Sequence, residues 1–130
     1  VAGERRRILV VEDSPMMARM YRIVLGGAYE LAFAADGVEG LDLAAGGPAP
    51  DLLVVDINMP RMDGLEFVRR LRTELGLSGV PVLVCSTETG EEDRAAALRA
   101  GATGFLPKPW TPAQLLEAVA AQLGGGEGGA

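Results

Sequence analysis

At 130 residues, of which 48% are hydrophobic, the chain is sized for one packed domain and is too apolar for a disordered segment. Its formal charge of −6 argues against a nucleic-acid surface spread over the domain, and no apolar run approaches the roughly 18 residues of a membrane span. With no histidine and one cysteine, Cys85, an internal disulfide, a His/Cys zinc site and a histidine-based triad are excluded, so a metal here must be a hard cation on oxygen ligands.

Short apolar runs alternate with amphipathic stretches along the chain, the pattern of βαβ units around a parallel sheet. Arg5, Arg6 and Arg7 read as a solvated lead-in to a first strand, Ile8 to Val11, whose β-branched residues suit burial on both faces. Ser14 caps a helix with Pro15 at its first position, running to about Leu25 before Gly26 and Gly27. Tyr29 to Ala34 reads as a second strand, and Asp36 opens a short helix ending near Gly46, Gly47 and Pro48. Leu52 to Val55 is a third strand that delivers Asp56 at its end. After a loop from Asn58, Asp63 and Gly64 read as a turn and helix start, followed by Leu65, Val68, Leu71 and Leu75 at helical spacing. Val82 to Cys85 is a fourth strand ending at Ser86 and Thr87, Glu91 to Ala100 a helix stopped by Gly101, and Gly104 to Leu106 a short fifth strand. Thr111 and Pro112 start a last helix through about Leu123. The predicted domain spans residues 5–123, with 124–130 a glycine-rich tail or the start of a linker.

Strict alternation of five strands and five helices predicts a doubly wound α/β sheet, which binds ligands outside the carboxyl ends of its strands where strand order switches. That edge gathers Glu12 and Asp13 after the first strand, Asp56 after the third, Ser86 and Thr87 after the fourth, and Lys108 after the fifth. Lys108, between Pro107 and Pro109, is the one lysine among twelve basic residues. Its ammonium is a compact point charge where guanidinium is a broad fork. Three crowded carboxylates repel one another and raise each other's pKa unless a cation compensates. Mg²⁺ suits such oxygen ligands, and with Lys108 it balances three negative charges. Singly, each residue also has a plainer reading: Asp13 favours a helix N-terminus through its dipole, and Ser86 and Thr87 are ordinary strand-end hydroxyls.

Over residues 5–123 the chain resembles a response-regulator receiver domain of two-component signalling. The resemblance rests on Ile8-Leu9-Val10-Val11-Glu12-Asp13-Ser14, on Asp56 through Gly64, and on Ala100-Gly101-Ala102 with Lys108-Pro109. With Asn58 and Glu88 flanking the site, it is similar to the single-domain chemotaxis receivers. The resemblance implies a flavodoxin-like sheet of order 2-1-3-4-5. Asp56 would be the phosphoacceptor, taking its group from a kinase phosphohistidine. Asp13, Glu12 through water, Asp56 and the backbone carbonyl of Asn58 would hold Mg²⁺. Lys108 would pair with Asp56 and later with a phosphoryl oxygen, its bond to Pro109 being cis. Ser86 would bond the phosphoryl group, and Phe105 would turn inward as Ser86 moves. The face of the fourth helix, fifth strand and fifth helix would meet an unknown downstream protein. A cytoplasmic protein with no enzyme activity beyond its own phosphorylation and dephosphorylation is implied.

The chain departs from the family's commoner residues in several places. Glu12 replaces an aspartate, Ser86 a threonine, Phe105 a tyrosine and Trp110 a phenylalanine. Thr87 stands where alanine is usual, and its bulk is expected to slow turnover. Other readings are a receiver-like interaction module that works without phosphorylation, and an aspartyl-phosphate hydrolase, whose haloacid-dehalogenase form would want an aspartate where Asn58 stands. A dinucleotide-binding enzyme lacks its Gly-x-Gly-x-x-Gly after the first strand.

Overall fold

The apolar runs pair side by side in the computed structural model, which describes residues 5–57 and 62–124. Strands β1 (Arg7–Val11), β2 (Glu30–Ala34), β3 (Leu52–Asp56), β4 (Val82–Ser86) and β5 (Gly104–Pro107) alternate with helices α1 (Pro15–Leu25), α2 (Gly37–Ala45), α3 (Gly64–Glu74), α4 (Glu91–Ala100) and α5 (Pro112–Gln122). All pairings are parallel and the order is β2-β1-β3-β4-β5. Every residue of β3 and β4 is buried, whereas β2, at the edge, is only partly so. Alternation along the strands sends Leu9, Val11, Leu53, Val55, Val82 and Val84 into a core closed by α2, α3 and α4. Ile8, Val10, Leu52, Val54, Leu83 and Cys85 face the opposite core, under α1 and α5.

The helix starts follow the local chemistry. The Ser14 hydroxyl accepts the Met17 N–H at 3.2 Å, and Asp36 and Asp63 accept the amides of Glu39 and Glu66, each at 2.9 Å. Thr111 and Gln114 form a reciprocal capping box. Gly101 ends α4 at φ +119°, a conformation side-chain-bearing residues rarely adopt. Gly64 answers a different need: a Cβ there would fall on the carbonyl oxygen of Asp56 and lie 2.7 Å from the Ile57 Cα. Only glycine lets α3 begin hard against the end of β3.

Several boundaries differ by one residue from those expected, β2 starting at Glu30 rather than Tyr29 among them, and two shifts have reasons outside the local sequence. β1 begins at Arg7, because its N–H donates to Asp51 Oδ2 at 2.8 Å and the Arg6 carbonyl accepts the Glu30 N–H at 2.9 Å. Arg5 also donates to the Gly26 carbonyl at 3.1 Å, so the basic run is tied to the domain rather than being only a solvated lead-in. α3 stops at Glu74, with Leu75 as its cap, where Arg72 draws in the following loop. That guanidinium donates to the carbonyls of Gly101, Leu77 and Val80, joining α3 to the entry of β4 and the end of α4. The domain closes with Leu123 capping α5. Most of the expected tail, residues 125–130, lies outside the described residues.

Candidate functional site at the carboxyl edge of the sheet

β1 pairs with β2 on one side and β3 on the other, so the strand order reverses between β1 and β3 and a crevice opens there. Strand register then places each expected side chain. Val11 lies opposite Val55, so Glu12 follows one strand and Asp56 ends the next at the same level. Asp56 lies opposite Cys85, and Ser86 opposite Pro107, which sets Lys108 one residue beyond Ser86. The Lys108 N–H donates to the Ser86 carbonyl at 2.8 Å, continuing the ladder past β5. The Lys108–Pro109 peptide is cis.

Lys108 Nζ lies 2.8 Å from Asp56 Oδ1, joining residues 52 apart in the sequence. The Asp56 side chain is 5% exposed and that of Lys108 16%, so this pair is largely withdrawn from water. Burial alone would lower the lysine pKa; the hydrogen bond and charge of Asp56, helped by Glu12, outweigh it and raise it. Glu12, Asp13 and Asp56 each offer a carboxylate oxygen, and these oxygens lie within 4.8 Å of one another. Asp13 is exposed, whereas Glu12 is buried and its Oε2 accepts the Ser14 N–H at 3.1 Å.

The Glu12 carboxyl is pushed up to about 7. Its largest cause is burial; the Ser14 hydrogen bond opposes it, and the charges of Asp56 and Asp13 add less. Mutual repulsion, the cause expected from composition, is therefore secondary to desolvation. Three converging carboxylates and no histidine form a pocket that could bind a hard divalent cation.

Ser86 is fully buried and its Oγ accepts the Glu88 N–H at 2.9 Å, which leaves its own hydrogen free to donate. Thr87 is exposed and, with Lys108, Met17, Met20, Pro109 and Trp110, lines a cleft of about 390 Å³ beside the pair. Phe105 is half-buried, with the Arg94 guanidinium of α4 4.8 Å from its ring centre. Asn58, expected to supply a carbonyl ligand, lies outside the described residues. Sequence reasoning missed the aromatic pair beside the site, where the rings of Tyr21 of α1 and Trp110 lie 5.1 Å apart between centres and are tilted by 47°. The available signal was spacing: Met17, Tyr21 and Leu25 recur every four residues on one face of α1.

A doubly wound parallel sheet of order β2-β1-β3-β4-β5, with a carboxylate–lysine pair at its switch point, defines the class of flavodoxin-like α/β proteins, whose ligand crevice lies at the carboxyl ends of the strands. Within that class, residues 8–120 match the response regulator receiver domain, and the chain belongs to that family. It is 36% identical over 124 residues to a chemotaxis protein CheY homolog of Campylobacter jejuni, covering 94% of this chain and 95% of that one. It is 42% identical over 118 residues to the response regulator MprA of Mycobacterium avium, covering 90% of this chain and 50% of that protein. The solved structure of Vibrio cholerae chemotaxis protein CheY4 aligns with a TM-score of 0.86 at 35% identity, covering 92% of this chain and 99% of that one. Among the described residues, no helix is long and apolar enough to cross a membrane.

Proposed function

We propose that this receiver domain accepts a phosphoryl group on Asp56 from the phosphohistidine of a kinase or phosphotransfer protein, in a Mg²⁺-dependent reaction, and so resets a partner-binding face. The observation that carries the reading is the lysine ammonium 2.8 Å from a buried aspartate that also belongs to a three-carboxylate cluster. Phosphoryl transfer asks the protein for position and charge neutralisation more than for covalent chemistry. An Asp56 oxygen attacks phosphorus, the phosphorus–nitrogen bond breaks as the phosphorus–oxygen bond forms, and imidazole leaves. Lys108 holds Asp56 before the reaction and turns to a phosphoryl oxygen after it, keeping the charge of the site balanced.

Asp13, Asp56 and Glu12 would hold Mg²⁺, with Asn58 adding its carbonyl; the bound cation would neutralise charge on the phosphoryl oxygens. The new group adds about 1.5–2 negative charges at Asp56. Ser86 can donate its free hydrogen to it, and moving Ser86 pulls on the Glu88 amide at the approach to α4. Phe105 follows inward only by leaving the Arg94 guanidinium, so one displacement alters both α4 and β5. The α4–β5–α5 face is thus the proposed docking surface for a downstream protein. The protein acts on no external substrate and works in the cytoplasm, where a free Cys85 thiol is at home.

Incubation with acetyl phosphate and Mg²⁺, followed by intact-mass measurement, tests the reading. One added phosphoryl group on the parent, none on Asp56→Asn and none with EDTA is the expected result. A folded parent protein that gains no mass would favour an interaction module working without phosphorylation.

A further inference from the structure

Three polar atoms are buried without a hydrogen-bond partner among the described residues: Glu12 Oε1, which belongs to the acidic cluster, the Tyr21 hydroxyl and Trp110 Nε1. Their residues are 5%, 1% and 9% exposed. Register and alternation place them on one side of the sheet. Glu12, Asp56 and Cys85 form a row across β1, β3 and β4, two residues beyond Val10, Val54 and Leu83, which face the core under α1 and α5. Tyr21 and Trp110 pack in that same core. The Cys85 thiol and the Trp110 N–H approach the Tyr21 hydroxyl without a geometry that satisfies it, and the Glu12 charge acts on both Tyr21 and Cys85.

The inventory of donors and acceptors shows what such a cluster takes. The indole N–H only donates, the oxygen of an ionised carboxylate, the form that a cation selects, only accepts, and the tyrosine hydroxyl does both. A water molecule answers all three at once: it accepts from Trp110, donates to Glu12, and exchanges a hydrogen bond with Tyr21. Buried polar groups without protein partners are ordinarily satisfied in this way.

We propose that an ordered water joins Glu12 Oε1, Tyr21 and Trp110 Nε1, and that Tyr21 is through it a positioning residue for the acidic pocket. Glu12 has one more rotatable bond than aspartate, and its Oε2 is already tied to the Ser14 N–H. Tying Oε1 as well fixes the carboxylate at both ends. Each oxygen keeps a lone pair for a cation-bound water, since an ionised carboxylate offers about four acceptor positions. Trp110, two residues past Lys108, shares the same water, so a rearrangement at the cation reaches the indole. This inference rests on the divalent-cation reading of the pocket.

Tyr21→Phe removes the hydroxyl and keeps the ring. Mg²⁺ binding measured by calorimetry is expected to weaken about tenfold, the scale on which partners of metal-ligating groups act. In a Glu12→Gln background the same substitution should change binding by no more than about twofold, because the residue it acts through is gone. Trp110→Phe removes the other donor and should weaken binding in the same direction. A high-resolution crystal structure should show one water within hydrogen-bonding distance of all three atoms. Unchanged Mg²⁺ affinity in Tyr21→Phe, an equal loss in both backgrounds, or a dry cluster in which Tyr21 bonds Cys85 or Trp110 directly would each overturn the proposal. A parent protein that binds no Mg²⁺ would overturn the divalent-cation reading along with it.

Discussion

Replacing Glu12 by glutamine should make the metal-free protein more stable at pH 8 and remove part of its pH dependence. The carboxyl is raised from an ordinary 4.5 to about 7, chiefly by burial. Between those values the unfolded chain has released the proton while the folded chain still holds it, so stability falls as pH rises. Below 4.5 both states are protonated and the full stability is present; above about 7 both are ionised and the loss is complete. At 1.36 kcal/mol per pH unit, the interval corresponds to about 3 kcal/mol. In a domain of 130 residues that is about 10 °C in Tm. Glutamine keeps the shape and can still accept the Ser14 N–H, but carries no charge to desolvate. Urea unfolding of both proteins in EDTA at pH 4.5 and pH 8 isolates the effect. The two should differ little at the lower pH and by about 3 kcal/mol at the higher, and Mg²⁺ should narrow the gap by favouring the ionised parent. Parallel pH profiles would refute burial as the controlling influence on Glu12.

Lys108→Arg keeps the charge but puts a planar fork where a compact ammonium sits 2.8 Å from the buried Asp56 carboxylate. Acetyl-phosphate labelling should slow by about tenfold or more, the loss of roughly 1.4 kcal/mol of transition-state stabilisation; a near-parental rate would show that the slot tolerates any cation. Thr87→Ala opens the exposed strand-end position that lines the cleft beside Lys108, so the phosphorylated protein should lose its phosphoryl group faster, as followed by intact mass over time. An unchanged lifetime would remove Thr87 from control of access. Arg72→Lys gives up a fork that reaches three carbonyls on two sides, and should cost about 2 kcal/mol in urea unfolding, in the range for charge-assisted hydrogen bonds left unmade. Parental stability in that variant would mean the loop after α3 is held by other contacts.

Much of the site was legible because its residues sit where strands end. Glu12, Asp13, Asp56, Ser86 and Lys108 each follow an apolar run, and a parallel sheet delivers all such positions to one edge. The caps at Ser14, Asp63 and Thr111 were legible for a similar reason, since a side chain bonding an amide three residues on is a local event. Arg72 was not: nothing near it in sequence signals that its partners are the carbonyls of Leu77, Val80 and Gly101. Nor was the stacking of Arg94 on Phe105, which joins two elements whose facing sides depend on how α4 lies on the sheet.

The sequence by itself determined the alternation of strands and helices, the parallel sheet and the carboxylate–lysine chemistry at its edge. Hydrophobic period, capping residues and strand-end positions are properties of short stretches, and they act before distant parts meet. The tertiary structure decided the rest: the 2.8 Å contact between Asp56 and Lys108, burial rather than repulsion as the leading cause of the raised Glu12 carboxyl, and the burial of polar atoms of Glu12, Tyr21 and Trp110 without a partner among the described residues. Each depends on the distance between side chains brought from separate elements and on the water excluded between them.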